Sequence, residues 1–331
     1  MAYPKPLSQK SIERRYHEAG MSDEVRRFLH DLFAACANLY GGIPLRDVWE
    51  IYKYLEITSP KIRRKDLVTF SAIVRREQQP YYIYEIEELY LDEPHQDLER
   101  HIVSRELVTT GYYRFVRFHQ VMQMAVDKPY YVPEDMLAWK EPVPLKEETA
   151  LLTFLGELVS TTDEVTPKYG DPYPNENKGK KLKDFSFLTC HEQIKIDLMK
   201  RPEEKEKFLK EISGNAAEKL MRSFKLNAHL GIHNPAENLK HLTEGLDEAG
   251  VQMDENQFSQ LIQLTMDFHN NSHLWCNAGW TPADLSRAMY HAGQKPLISF
   301  GPGYQQAFAE GTLDRDELIR ELHKHGFDVA E

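Results

Sequence analysis

Hydrophobic positions recur along most of this chain with a helical period. Val25, Phe28, Leu29, Leu32, Phe33, Cys36, Leu39 and Tyr40 fall at i, i+3, i+4, i+7 spacing behind Ser22, with Asp23 and Glu24 just after it. A capping hydroxyl followed by early acids predicts a helix start, the single apolar stripe predicts a buried face, and Gly41-Gly42 predicts the end. Leu45, Val48, Trp49, Tyr52 and Leu55 form a second stripe behind Pro44, which suits a first helical position, and Thr58-Ser59-Pro60 stops it. A third helix is expected over 64–78, with Leu67, Phe70, Ile73 and Val74 facing inward. The period then changes. Pro80-Tyr81-Tyr82-Ile83-Tyr84 is aromatic and β-branched, Glu88-Leu89-Tyr90-Leu91 alternates, and Glu85-Ile86-Glu87 is expected to turn between them as a hairpin. Residues 1–20 hold two prolines and no apolar stripe before Ile12, and read as an N-terminal arm.

Three helices followed by a hairpin is the order of a winged helix, so residues 21–94 are expected to form a winged-helix-like unit. Residues 95–160 read as a helical connector: two helices over 97–126 split at Thr110-Gly111, an extended stretch over 128–133, and a further helix over 147–159. Residues 161–185 are poor in apolar groups and rich in Pro, Gly, Asn and Lys, the composition of a flexible loop. Residues 186–331 read as a helical C-terminal domain. Its starts are marked at Asn234-Pro235, Asp254 with Gln257, and Thr281-Pro282. The helix after Asp254 is expected to bury Phe258, Leu261, Ile262, Thr265 and Phe268, and two short helices are expected around Ala307 and Leu318. The fold class is mainly α.

Composition narrows the function classes. The chain has 331 residues, 41% of them apolar, which is enough for a sizeable core and excludes disorder of the whole. Its net charge of −11 argues against a general polyanion binder. Cys36, Cys190 and Cys276 form no C-x-x-C pair, so neither a disulfide scaffold nor a thiolate zinc module is expected, and a reducing compartment fits. The first residues lack the apolar core of a secretory leader, no apolar run approaches bilayer length, and mean hydropathy is −0.58. A cytoplasmic location without a membrane partner is the expectation.

Charge is uneven, and this raises the first candidate site. Residues 1–78 hold fourteen Lys/Arg against ten Asp/Glu, so the remainder carries −15. Lys61, Arg63, Arg64 and Lys65 gather at the start of the third helix, and Arg75 and Arg76 at its end. A recognition helix presents its first residues to bases and phosphates, which makes these six the candidate nucleic-acid contacts. The expected wing opposes that role, because Glu85, Glu87, Glu88, Asp92 and Glu93 would face phosphate. A protein-docking unit is therefore the first reading of this fold and a nucleic-acid reader the second.

The second candidate lies at 269–281. On a continuous helix His269 and His273 would share a face, with Cys276 at i+7, a weak zinc alternative that lacks the Glu of H-E-x-x-H. No metal and no cofactor are expected. His269, Asn270, Asn271, His273, Trp275, Asn277 and Trp280 make a ligand or partner notch, or else a structural junction whose amides satisfy loop carbonyls while a tryptophan plugs the core. Gly301-Pro302-Gly303 reads as a turn, and neither G-x-G-x-x-G, G-K-[ST] nor G-x-S-x-G occurs.

The runs Asn270-Asn271-Ser272-His273-Leu274-Trp275 and Gly279-Trp280-Thr281-Pro282 resemble a signature of uncharacterised bacterial proteins related to those carrying the small zinc-binding SEC-C motif. Leu39-Tyr40-Gly41-Gly42-Ile43-Pro44 and Ile298-Ser299-Phe300-Gly301-Pro302-Gly303 are similar to the same proteins. The zinc tail of that group is missing from the end of this sequence, and the resemblance implies no activity and no catalytic residue. Together these readings favour a non-enzymatic binding or adaptor protein with a protein partner. A winged-helix nucleic-acid-binding regulator is the alternative, and a metal-dependent hydrolase using His269 and His273 a distant one.

Overall fold

The computed structural model describes residues 3–90, 93–109, 114–142, 145–160, 216–231, 234–248, 251–291, 297–298, 308–309, 311, 314–324 and 328–329. Helix α1 (Gln9–Glu18) is followed by α2 (Asp23–Tyr40), β1 (Gly42–Pro44), α3 (Leu45–Tyr54), α4 (Arg64–Val74), β2 (Tyr81–Tyr84), α5 (Ile86–Leu89) and β3 (His101–Ser104). Then come α6 (Val116–Ala125), α7 (Lys146–Ser160), α8 (Ala216–Leu230), α9 (Pro235–Glu248) and α10 (Glu255–Asn271). The chain divides into two compact units, 1–280 and 281–331. The second holds α11 (Pro282–His291), capped by the Thr281 hydroxyl, together with α12 (Arg315–Lys324) and a parallel pair of short strands, β4 (Leu297–Ile298) and β5 (Asp328–Val329). The protein is mainly α. Among the described residues no helix is long and apolar enough to cross a membrane.

The caps read from the sequence are formed. Ser22 accepts from the Val25 amide at 3.3 Å, Asn234 from the Glu237 amide at 2.9 Å, and Asp254 from the Gln257 amide at 2.8 Å. Each satisfies an amide that the first helical turn leaves without a partner.

The order from α2 to β3 is helix, strand, helix, helix, strand, helix, strand, and the three strands pair antiparallel as β1-β3-β2. The segment over 85–100, expected as a wing, links β2 to β3 through α5. Phe33 and Phe70 sit in one core with Trp49 packed against it. The sheet lies between two apolar clusters. Ile43, Ile102 and Ile83 stand side by side across its strands and face the cluster containing Phe33 and Phe70. Val103 and Tyr84 face the other cluster, with Phe118 and Val121 of α6.

Four expectations are corrected. Residues 1–20 are no bare arm, because α1 buries Ile12 and Tyr16, and the Tyr16 hydroxyl donates to Glu77. The stretch expected as the second hairpin strand is α5, started when the Glu88 carboxylate accepts from the Glu85 amide at 2.9 Å; Leu91 and Asp92 lie outside the described residues. Instead of helix, residues 101–104 form β3, the central strand: both its faces are covered, so its apolar residues run together and show no period. On α10 the buried face is Leu261, Thr265 and Phe268, whereas Phe258 and Ile262, expected inside, are 43% and 37% exposed. The 161–185 loop, the split at 110–111, Ala307, Gly301–303 and Cys190 also lie outside the described residues.

A half-buried ion network, with Arg100 at its buried centre, replaces a free basic face at the end of α4. Arg75 grips Glu85 at 2.8 Å and both Glu88 oxygens at 2.9 and 3.1 Å. Arg100, 7% exposed, donates to Glu85 at 2.6 Å, Asp97 at 2.8 Å, the Val68 carbonyl and Ser71 Oγ. The wing acids therefore serve to fasten the wing to α4. Removing one partner of a buried pair leaves the other uncompensated. Arg100→Ala is expected to lose on the order of 3 kcal/mol in urea unfolding, and a midpoint equal to the parent's would show that the network contributes nothing.

Candidate functional site

A cavity of about 340 Å³ opens among α2, the residues after β3, α7, α8 and the end of α10. Its floor comes from three parts of the chain. Trp275 is 5% exposed and its indole N–H donates to the Asn38 carbonyl at 2.8 Å. The ring lies against Gly41, where a Cβ would stand 2.6 Å from Cδ2 and where φ is +68°. Glycine is needed there twice over, for the left-handed backbone and for the space. His229, on the last turn of α8, lies 4.7 Å from Trp275, centroid to centroid.

The walls are apolar, from Leu152, Met221, Leu226 and Phe268, and the rim is charged. On the rim Lys225 is held by both oxygens of Glu148, at 2.9 and 2.8 Å. Glu106 and Glu218 are exposed. Behind the lining, two polar atoms stand out. Ser272 is 2% exposed, yet its Oγ has no hydrogen-bond partner, and Nδ1 of His229 is buried and equally unpaired. Burial pushes the His229 ring down to about 3, and the neighbouring Lys225 and His273 add to this. The imidazole is therefore neutral at pH 7 and offers one donor and one acceptor nitrogen.

The residues expected at 269–281 are partly brought together. Helix α10 ends at Asn271, and Ser272 is extended. The continuous face that would have aligned His269, His273 and Cys276 therefore does not exist. Nδ1 of His273 lies 2.6 Å from the Gly279 carbonyl oxygen. Cys276 Sγ points at the Ala228 carbonyl, its thiol pushed up to about 11 by burial, so it is no ready thiolate ligand. The chain then closes a tight turn: the Gly279 amide donates to Leu274 and the Leu274 amide to Trp280. A strap over 129–131 crosses it. The Trp280 indole donates to the Pro129 carbonyl at 2.8 Å, and the Tyr131 amide to the Ala278 carbonyl at 3.0 Å.

Of the seven notch residues, His273 and Trp275 line the cavity. Asn270 and Asn271 are exposed, and the Asn271 amide merely bonds back to Asp267 one turn earlier. Asn277 serves the turn through its backbone. The amide that does satisfy distant carbonyls is Asn38, which donates to Trp139 and Lys140. Sequence reading missed it, along with Lys225, Ser272 and Glu148, and weighed His229 only as a weak metal pair with His233, which lies outside the described residues. Only the Lys225/His229 spacing of four on one helix carried a trace of their meeting.

The basic candidates separate likewise. Lys61, Arg63, Arg64 and Lys65 are exposed at the start of α4. Arg63 is drawn onto Asp66 at 2.9 and 3.1 Å, and Arg64 lies over the Trp49 ring. Arg75 is committed to the wing network and Arg76 is half-buried, so neither is presented as the sequence implied. In the wing, Glu85, Glu87 and His95 place one ligand-type atom each within 4.8 Å of one another. Glu85 is already neutralised by Arg75 and Arg100, and the trio belongs to the ion network.

Two measurements check this geometry. Trp275→Ala is expected to lose about 3–5 kcal/mol of stability and Asn271→Ala less than about 0.5 kcal/mol; equal losses in urea unfolding would contradict the placement of both. The buried His101 ring is also pushed down, to about 4. In the unfolded chain His101 and His229 take a proton near pH 6.5. The unfolded state then binds more protons below that pH, so stability falls as pH drops from about 6.5 toward 4. The urea midpoint is expected to fall over that window, and to fall less in His229→Gln; identical profiles would remove His229 as a contributor.

The chain matches no protein-family model, no curated protein and no solved structure.

Proposed function

We propose that this chain is a non-enzymatic binding protein whose site is the cavity beneath α8. One observation carries the reading: the cavity is walled by the apolar side chains of Leu152, Met221, Leu226 and Phe268, and its lining also holds Arg222, Lys225 and Glu148. A concave, mostly apolar space with a few charged groups at its edge is the form of a small-ligand site. The volume, about 340 Å³, is at the small end for such ligands. Binding is favoured over catalysis because nucleophile and base are not coupled. Ser272 Oγ bonds to no histidine, and Nδ1 of His273 is taken by a backbone carbonyl.

The test uses the full chain and a fragment set of neutral, cationic and anionic compounds. Fragments are expected to raise Tm and to lose that effect in Leu226→Trp, which fills the cavity. An empty screen, or hits indifferent to Leu226→Trp, would overturn the reading.

A second reading, nucleic-acid binding, is favoured by the exposure of Lys61, Arg63, Arg64 and Lys65 on the third helix of a winged-helix-like unit. It ranks second because Asp66 engages Arg63 and Arg75 is committed to Glu85 and Glu88. Under it, Lys65→Ala would weaken duplex DNA binding at low salt and reduce the salt slope by about one. Fluorescence anisotropy showing no binding by the parent would dismiss it.

A further inference from the structure

Helix α10 carries an apolar stripe that faces water. Phe258, Ile262 and Met266 are 43%, 37% and 37% exposed. Four residues apart on one helix, they share a face. The neighbouring face, with Leu261 and Phe268, is already committed to the core. At its Phe258 end the stripe enters a shallow groove of about 570 Å³, whose lining joins Val251 and Met253 to Glu244 and Asp247 of α9. The charge around the stripe has one sign. Residues 242–280 hold six Asp/Glu and no Lys or Arg. Of these acids Glu244, Asp247, Asp254, Glu255 and Asp267 are exposed. Just before them along the chain, Lys240 lies 3.7 Å from Glu244 and His241 3.3 Å from the same carboxylate. All three side chains are exposed, where such pairs are worth little.

We propose that α10 and the end of α9 dock a basic amphipathic helix of a partner protein, a surface independent of the cavity reading above. The partner's apolar side chains lie on Phe258, Ile262 and Met266, and its Lys and Arg side chains face Glu244, Asp247 and Glu255. The acids choose the occupant. A second copy of this chain would set the same carboxylates against them, and like charges facing each other oppose association. A nucleic acid or an anionic lipid surface meets the same repulsion. A cationic helix is steered toward the acids and covers the stripe when it arrives.

The test is fluorescence anisotropy of the full chain with three labelled helical peptides of equal length, at neutral pH and physiological ionic strength. The first carries a Leu stripe with Lys elsewhere, the second has Glu in place of Lys, and the third has Ser in place of Leu. The Leu/Lys peptide is expected to bind at least about tenfold tighter than either control. Ile262→Ser combined with Met266→Ser is expected to weaken it by at least about tenfold, with a urea midpoint close to the parent's because both side chains are exposed. Tyr54→Ser, which removes an exposed aromatic side chain on α3, is expected to leave binding unchanged. Glu244→Gln is expected to weaken binding a few-fold and to flatten its salt dependence. Transfer of magnetisation between the peptide's Leu methyls and the Met266 methyl places the peptide on the stripe without any variant. No binding of the Leu/Lys peptide would overturn the proposal. So would controls that bind equally well, a double variant equal to the parent, or peptide binding without contact to Met266. A dimer in light scattering that the double variant abolishes would assign the stripe to a second copy and overturn it as well.

Discussion

The contact of the Trp275 indole with Gly41 and the Asn38 carbonyl is the constraint on which the centre of the first unit depends. A ring of this size, closed off from solvent, must bury its N–H against an acceptor. The acceptor comes from the last turn of α2, next to the glycine that ends that helix. Helix α2, which fills the apolar cluster around Phe33 and Phe70, thereby also supplies the docking point for the segment after α10. The turn over 274–280 and the strap over 129–131 hold that segment in place. The cavity is the space these commitments leave. Trp275 closes one side, α8 brings His229 and Lys225 to another, and α7 contributes Glu148.

Charge plays two roles in this unit, and burial separates them. At the wing, Arg75 and Arg100 are enclosed with Glu85 and Glu88, so acids that read as hostile to a polyanion in the sequence act as fasteners. At the start of α4, the cations stay in water and their ion pairs are worth little. The same residue types in one basic run thus end with different availability. At the cavity the balance differs again: Lys225 and Glu148 pair at its edge while the walls between are apolar.

Legibility in the sequence followed locality. The extent of α2, the caps at Ser22, Asn234 and Asp254, the strand at Tyr81–Tyr84 and the mainly helical class were all readable, because each rests on spacing and on hydrogen bonds within a few residues. The central strand β3 was not. His101-Ile102-Val103-Ser104 is short and covered on both faces, so it carries neither alternation nor helical period. The end of α10 at Asn271 was the other failure with consequences. The His269/His273/Cys276 face assumed a continuous helix, and once Ser272 turns extended the three point to different partners.

What the sequence alone determined is therefore the mainly helical class, α2 with several of the longer helices, the caps at Ser22, Asn234 and Asp254, and the presence of an unusual polar-aromatic run at 269–281. Tertiary structure decided the rest. It turned Trp275 into a plug against Gly41, left Asn270 and Asn271 in solvent, and joined Ser272 to Lys225, His229 and Glu148 in one cavity. The physical reason is range. Caps and periodicity are set by neighbours a turn apart, whereas the cavity joins residues more than two hundred positions apart, from Asn38 to Trp275. Their meeting depends on how apolar faces pack, and no local pattern encodes that.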